Sequence, residues 1–178
     1  MRWMWIDRVT ELLPGQRLVA VKSVSLAEEH LHDHFPADAA AGLPATPVMP
    51  ASLIVEGCAQ TGGILVGHAE SFKHKVILAK VSKFKIDRDA TPGCTLRYSA
   101  EIERTDDMGA SVNCKIALFD FAKPEAGFTD IGSISLMFSH LDHNMGGAGQ
   151  AGEDFPAHNF VFGEAFKTLL RSSGYAVQ

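Results

Sequence analysis

The architecture of this chain is set by His34-Phe35-Pro36, then Pro47-Val48-Met49-Pro50, which runs into Ala51-Ser52-Leu53-Ile54-Val55-Glu56-Gly57-Cys58-Ala59-Gln60. From Ala51 to His68 the sequence contains no proline and one formal charge, Glu56. Pro50 suits the first position of a helix, where the missing N–H of proline is not needed. Apolar residues surround this predicted helix on most sides, so we expect it to be buried.

One stripe of the predicted helix is polar or small. Helical spacing brings five residues to the same side: Ser52, Glu56, Gln60, Gly63 and Gly67. A lone carboxylate on a buried helix costs free energy unless a partner compensates for it, and such carboxylates cluster at functional sites. Two interpretations of Glu56 stay open: a functional acid, or a core side chain that hydrogen-bonds Gln60 or a backbone group.

Composition indicates one globular domain. A chain of 178 residues with 46% apolar content is long enough for a real core, and a net charge of −5 argues against nucleic-acid binding. The three cysteines are odd in number, with no close pair in sequence, which indicates reduced thiols in a cytoplasmic protein. Asp7 and Arg8 come too early for a signal peptide, and no apolar run is long enough to cross a membrane.

Alternating apolar residues predict strands before and after the helix, at Arg17–Leu26, Val76–Ile86, Thr95–Glu103, Ser111–Phe119 and Ile131–Ser139. One buried helix followed by consecutive half-buried strands predicts an α+β fold in which an antiparallel sheet wraps around that helix. We assign residues 1–142 to this domain.

Residues 143–152 are glycine-rich and predict a linker. The tail at 153–178 contains a short amphipathic helix at about Glu164–Arg171. Its apolar side chains need a surface to cover, so we expect the tail to dock on the sheet or on a neighbouring subunit. These side chains are Phe162, Phe166, Leu169 and Leu170.

Two polar clusters have alternative interpretations. His30, His32 and His34 recur at every second position, as metal ligands could, but no cysteine or regular second ligand set follows, and we predict no metal site. A basic run could attract an acidic carrier protein or form a solvated strand face. It comprises Lys73, Lys75, Lys80, Lys83, Lys85 and Arg88, against only Asp87.

Residues 34–60 resemble the signature of the 3-hydroxyacyl-[acyl-carrier-protein] dehydratases of the FabZ/FabA type. The matching residues are His34-Phe35-Pro36, Pro47-Val48-Met49-Pro50, Leu53-Ile54, Glu56 and Ala59-Gln60-Thr61-Gly62-Gly63, and a weaker likeness extends over residues 4–140. Ala51 stands where the family has glycine. About eight extra residues lie within 37–46, a lengthening that loops tolerate at modest cost. The resemblance implies the hot-dog fold.

The resemblance also implies dehydration of a (3R)-3-hydroxyacyl thioester of acyl carrier protein or coenzyme A to the trans-2-enoyl thioester, in fatty acid or related lipid or polyketide synthesis. This reaction needs a base for the α-proton, an acid for the hydroxyl and a donor for the thioester oxygen. His34 suits the base, Glu56 the acid and the Ala51 backbone N–H the donor. The other implied substrate-binding residues are Phe35, Met49, Pro50, Gln60 and Gly63. Neither metal nor cofactor is required.

The family further implies a homodimer or a trimer of dimers, with His34 from one subunit and Glu56 from the other at each site. An acyl channel would follow the helix past Gly62, Gly63 and Gly67, although these glycines could equally serve close helix–strand packing. Two other functions stay open. In the first, the lengthened 37–46 loop displaces His34, and the chain binds acyl thioesters or carrier proteins without catalysis. In the second, the chain is a hot-dog thioesterase. Otherwise we expect the loop to cover one end of the channel.

Overall fold

The computed structural model of the protein describes residues 3–141 and 159–177. In chain order these residues form β1 (Arg8–Leu13), β2 (Arg17–Val24), α1 (Glu29–Asp33), α2 (Ala51–Ala69), β3 (Val76–Ile86), β4 (Cys94–Asp106), β5 (Gly109–Asp120), a short 3-10 turn (Pro124–Ala126), β6 (Thr129–His140) and α3 (Glu164–Ser172). The predicted linker at 143–152 and the start of the tail lie outside the described residues. None of the helices described is long and apolar enough to cross a membrane.

The six described strands form one antiparallel sheet in the order β1-β2-β4-β5-β6-β3. The faces that alternation predicts to be apolar on β4, β5 and β6 are the buried ones, and α2 packs across them, contacting every strand from β2 to β6. The helix is buried from Gly57 to Gly67. This arrangement confirms the predicted hot-dog fold.

Glycines let α2 approach its neighbours closely. A Cβ atom at Gly57 would lie 2.6 Å from the Tyr98 ring, and one at Gly62 would lie 3.0 Å from the Phe138 ring. Gly62 therefore serves helix–strand packing. A Cβ at Gly63 would meet only Phe138, at an ordinary 3.5 Å.

The tail docks on its own chain. The Val9 N–H donates a hydrogen bond to Ser173 Oγ over 3.0 Å, which ties the end of α3 to β1. Leu169 and Leu170 are buried in the core, and Phe162 abuts α2 where a Cβ at Gly67 would lie 2.6 Å from its ring. The predicted docking on the sheet is confirmed, with α2 as an additional surface.

Asn159 fastens the start of the described tail. Its Nδ2 donates to the carbonyl oxygens of Phe72 and His74, both over 2.9 Å. Its Oδ1 accepts from the backbone N–H groups of Val161 and Phe162, over 3.1 and 3.3 Å. One side chain thus joins the tail to the connection between α2 and β3.

β3 is an edge strand, and its side chains are mostly exposed, including the apolar Ile77, Leu78 and Val81. The cations of the basic run differ in exposure and in pairing more than the sequence indicates. Lys75 is buried, with 6% of its surface exposed, so it is not part of a surface patch. Two further cations have acidic partners: Lys85 lies 2.8 Å from Asp87, and Arg88 lies 2.8 Å from Asp120.

Candidate active site

The His34 imidazole is fixed by a backbone carbonyl. His34 follows the end of α1 and is half-buried, and its Nδ1 lies 2.6 Å from the Val48 carbonyl oxygen. A carbonyl oxygen can only accept a hydrogen bond, so Nδ1 carries a proton, and in the neutral imidazole the lone pair is on Nε2. Phe35, which follows, has a φ of 60° and turns the chain sharply away. The Val48 carbonyl therefore fixes the imidazole orientation through Nδ1, which leaves Nε2 as the nitrogen available to accept in the neutral ring.

The 37–46 insert closes on itself at its base. The Thr46 N–H donates to the Phe35 carbonyl over 3.0 Å, and within the loop the backbones of Asp38 and Leu43 exchange two hydrogen bonds of 2.9 Å. The Asp38 carboxylate also accepts from the N–H of Ala40 over 3.0 Å. These bonds return the chain to its starting point, so the extra residues leave His34 beside Val48.

The N-terminus of α2 presents unprotected backbone donors. Its first hydrogen bonds run from the N–H groups of Leu53 and Ile54 to the Pro50 carbonyl, and no described side chain caps it. The N–H groups of Ala51 and Ser52 therefore precede the first helical bond. Ahead of them, the N–H of the buried Met49 donates to the Ala90 carbonyl over 2.8 Å, which anchors this end of the helix.

The Glu56 carboxylate is positioned by Gln60. Gln60 Nε2 donates to Glu56 Oε1 over 2.9 Å and to the Trp3 carbonyl over 2.9 Å, while Gln60 Oε1 accepts from the Trp5 N–H over 2.9 Å. The backbone of residues 3–5 thus fixes the amide that holds the acid. Glu56 is half-buried rather than buried, which corrects the expectation, because its side of the helix borders a cavity.

That cavity has a volume of about 240 Å³ and follows one face of α2. Glu56, Gln60 and Gly63 line it from the helix, and β3 contributes Ile77 and Leu78. The rest of its lining comes from Ala59, Ile64, Val76, Phe138, Val161, Phe162 and Phe166. Three of the five residues of the predicted helical stripe therefore line an apolar space that contains one carboxylate, whereas Ser52 and Gly67 do not line it. His34, the predicted base, is not among these lining residues.

The three closely spaced histidines have separate partners. His32 Nε2 lies 2.8 Å from the Leu26 carbonyl, and the His30 ring packs edge-on against Trp5, with its centroid 5.1 Å away. Burial lowers the pKa of His30, against the opposing effect of the Glu28 carboxylate. The described residues contain no group of His, Cys, Asp and Glu side chains arranged for a metal.

Two contributors to the site were missed from sequence. Lys22 is buried on β2, where it bonds Glu28 and lies 3.5 Å from Asp7; these contacts hold the segment that leads to His34. The tail residue Phe162 lines the cavity from more than ninety positions beyond Gln60. An alternating strand pattern does not show whether a lysine such as Lys22 is buried or exposed. The sequence around Phe162 does not indicate which surface this side chain covers.

Comparison with known families gives a consistent result. A family model described as a FabA-like domain matches residues 2–121. The chain is 33% identical to the 3-hydroxyacyl-[acyl-carrier-protein] dehydratase FabZ of Symbiobacterium thermophilum, over 69% of this chain and 92% of that protein. It is 31% identical to FabZ of Lactobacillus helveticus, over 72% and 82% of the two chains.

Solved structures with a similar fold include a thioesterase family protein from Silicibacter pomeroyi. It is 13% identical, with a TM-score of 0.56, over 75% of this chain and 83% of that one. A Streptococcus mutans protein bound to acetyl-CoA is 9% identical, with a TM-score of 0.54, over 75% and 86%. At these identities the likeness concerns the fold alone.

Proposed function

This chain belongs to the FabA-like family, and from that membership we propose that it is a dehydratase that converts a 3-hydroxyacyl thioester to the trans-2-enoyl thioester. Because the relatives are named for acyl-carrier-protein substrates, we propose a carrier-protein thioester as the principal substrate and a coenzyme A thioester as the secondary one. The exposed Lys80 and Lys83 on β3 offer positive charge to an acidic carrier.

His34 is the proposed base, and its bond to Val48 is the observation that carries the proposal. With Nδ1 donating to that carbonyl, Nε2 can accept the α-proton, and the imidazolium that forms keeps its partner. The closed base of the 37–46 insert argues against the non-catalytic alternative, which required the loop to displace His34.

Glu56 is the proposed acid. In this proposal its carboxyl group gives a proton to the departing hydroxyl; its Oε1 accepts a hydrogen bond from Gln60 Nε2, and the group borders the apolar cavity. Its bond to Gln60 also fits the simpler interpretation of a structural glutamate. A functional test must therefore remove the acid and keep the hydrogen bond.

The proposed reaction removes a proton from C2 and the hydroxyl group from C3. Nε2 of His34 takes the proton from C2, the electron pair forms the C2–C3 double bond, and the C3–O bond breaks as Glu56 protonates the departing oxygen to give water. The Ala51 N–H, aided by the positive end of α2, stabilises negative charge on the thioester oxygen. Transfer of a proton from the imidazolium to the Glu56 carboxylate, through water, restores both groups.

We propose that each complete site forms between two subunits of a homodimer. His34 does not line the cavity that contains Glu56, which fits the arrangement implied by the family resemblance, in which a second chain supplies the base. β3 is an edge strand with apolar side chains exposed, and its Ile77 and Leu78 line the same cavity, so a partner at this edge would lie beside the acid. Assembly of such dimers into a trimer is compatible with this arrangement.

Incubation with 3-hydroxyacyl thioesters of carrier protein and of coenzyme A, followed by mass spectrometry for loss of water, tests the function. We expect dehydration by the wild type, and losses of at least about a hundredfold in His34→Ala and Glu56→Gln. His32→Ala is the matched control, because this exposed histidine bonds only the Leu26 carbonyl in the structure described.

If every thioester substrate were recovered unchanged, the proposed dehydratase activity would be refuted. Near-normal turnover by Glu56→Gln, which keeps the bond to Gln60, would leave Glu56 with its structural role only. Release of free acid instead of the enoyl thioester would identify a thioesterase.

A further inference from the structure

The tail walls off one end of the Glu56 cavity. Val161, Phe162 and Phe166 line it, and the Phe162 ring packs against Gly67, eleven residues along α2 from Glu56. The family match ends at residue 121, so these side chains come from a part of the chain that the match does not include. Phe162 is buried, and its ring occupies the space beside Gly67 that a Cβ atom would need. An acyl chain following the helix therefore meets this ring.

A second cavity lies behind the same aromatic side chains. It has a volume of about 280 Å³, and its lining includes His68, Phe72 and Val177. A gap of about 10 Å³ between the two cavities is lined by Phe162 and Phe166 together with Phe72, Lys167, Leu170 and Val177. The gap thus shares Phe162 and Phe166 with the Glu56 cavity, and Phe72 and Val177 with the second cavity, so we expect truncation of the two tail side chains to extend the first space towards the second.

Helix geometry sets the distances. Gly63 is seven residues beyond Glu56, which is about 10 Å at 1.5 Å per residue, and Gly67 is about 6 Å further. An extended hydrocarbon with C–C bonds of about 1.5 Å advances about 1.25 Å per carbon. Because α2 lines the cavity no further than Ile64, the space before Phe162 suits about eight carbons beyond the reacting centre, and the next turn, to Gly67, would add four or five.

We propose that Phe162 and Phe166 form a stop that limits the length of the acyl chain this protein accepts, and that the C-terminal segment therefore determines its chain-length specificity. This inference rests on the proposed function, because it takes an acyl chain as the occupant of the cavity. Its support is the apolar lining, the packing of Phe162 against Gly67 further along α2 than Glu56, and the gap that shares residues with both cavities.

The test compares the wild type with Phe162→Ala and Phe166→Ala. Turnover of 3-hydroxyacyl-pantetheine thioesters is measured in two-carbon steps, together with calorimetric binding of unreactive acyl-pantetheine amides of the same lengths. Phe166 is only half-buried, so its variant is available if Phe162→Ala does not fold. Phe160→Ala is the matched control: Phe160 lies on the same segment, is 45% exposed and is not among the described residues that line these cavities.

We expect the wild-type profile to fall beyond about eight carbons past the reacting centre. Phe162→Ala should extend the limit by about four carbons and raise the ratio of long-chain to short-chain kcat/KM by about tenfold or more. Phe160→Ala should leave the profile unchanged. If the longest acyl chain that binds changes in the variants but no thioester is turned over, the chain-length stop is supported and the dehydratase activity is refuted. A limit that is the same in the wild type and in both folded variants would overturn the stop, with or without turnover.

Discussion

Replacement of Asn159 by alanine should release the tail from the body of the domain. The side chain makes four hydrogen bonds, two to the carbonyls of Phe72 and His74 and two from the N–H groups of Val161 and Phe162. A typical protein hydrogen bond contributes about 0.5–1.5 kcal/mol net. Because these groups are partly exposed and water can replace some of the bonds, we expect the tail to lose about 2–3 kcal/mol of docking free energy.

The lost docking free energy determines how much faster the amide hydrogens of the tail exchange with solvent. About 1.4 kcal/mol corresponds to a factor of ten in the opening equilibrium, so amide hydrogen exchange in residues 161–173 should accelerate roughly 30- to 150-fold. Amides in β4 and β5 should stay protected, because the tail opens locally. Hydrogen–deuterium exchange with mass spectrometry measures both regions in one experiment.

Asn159→Asp separates the two halves of the contact. The carboxylate keeps an acceptor for Val161 and Phe162 but faces the Phe72 and His74 carbonyls without a donor. Amide hydrogen exchange should therefore accelerate more in α3 than at the N–H groups of Val161 and Phe162. Glu164→Gln is the control, because its ion pair with Arg171 is exposed and contributes little. Unchanged exchange and proteolysis of the tail in Asn159→Ala would refute the reasoning.

Three other predictions test the core, the shared site and two half-buried histidines. Gly57→Ala should lower the unfolding free energy in urea by about 1–3 kcal/mol, because its Cβ would lie 2.6 Å from the Tyr98 ring. Gly63→Ala, with an ordinary 3.5 Å contact, should cost nothing; equal stability of the two variants would contradict this. Mixed His34→Ala and Glu56→Gln subunits should regain activity through one intact site per heterodimer; no recovery after verified exchange would oppose a shared site. Burial lowers the pKa values of His30 and His68, so the unfolded chain binds more protons between those lowered values and 6.5. Stability should rise with pH across that window, and replacing both with asparagine should flatten the slope in urea titrations at several pH values.

The central helix and the faces of the later strands were predictable because their signals are local. Absence of proline from Ala51 to His68 predicted α2, which ends one residue later, at Ala69. Alternation predicted the buried faces of β4 and β5, whose strands begin one or two residues earlier. β1 was not predicted as a strand, because a bulge between Val9 and Glu11 interrupts its register.

What the sequence did not reveal depends on long-range contacts. Asn159 bonds carbonyls 85 and 87 positions away, and Gln60 bonds the backbone of Trp3 and Trp5 from 57 and 55 positions away. No periodicity predicts such pairs. The burial of Lys22 likewise depends on Asp7 and Glu28 meeting it from two other segments. The roles assigned to His34, Glu56 and Ala51 remain predictions from the family resemblance. The insert does not line the cavity of this chain, so its covering role at a channel between subunits also remains a prediction.

The hydrogen bonds that close the base of the 37–46 insert also make this loop suitable for the insertion of foreign peptides. Because the bond between Thr46 and Phe35 returns the chain to its origin, its outer residues are insulated from the imidazole of His34. Residues 39–42 are exposed and form the tip of a hairpin that includes Gly42 at a φ of 67°. Peptide tags, labels or randomised libraries placed there would report on the protein while leaving the histidine in its original environment.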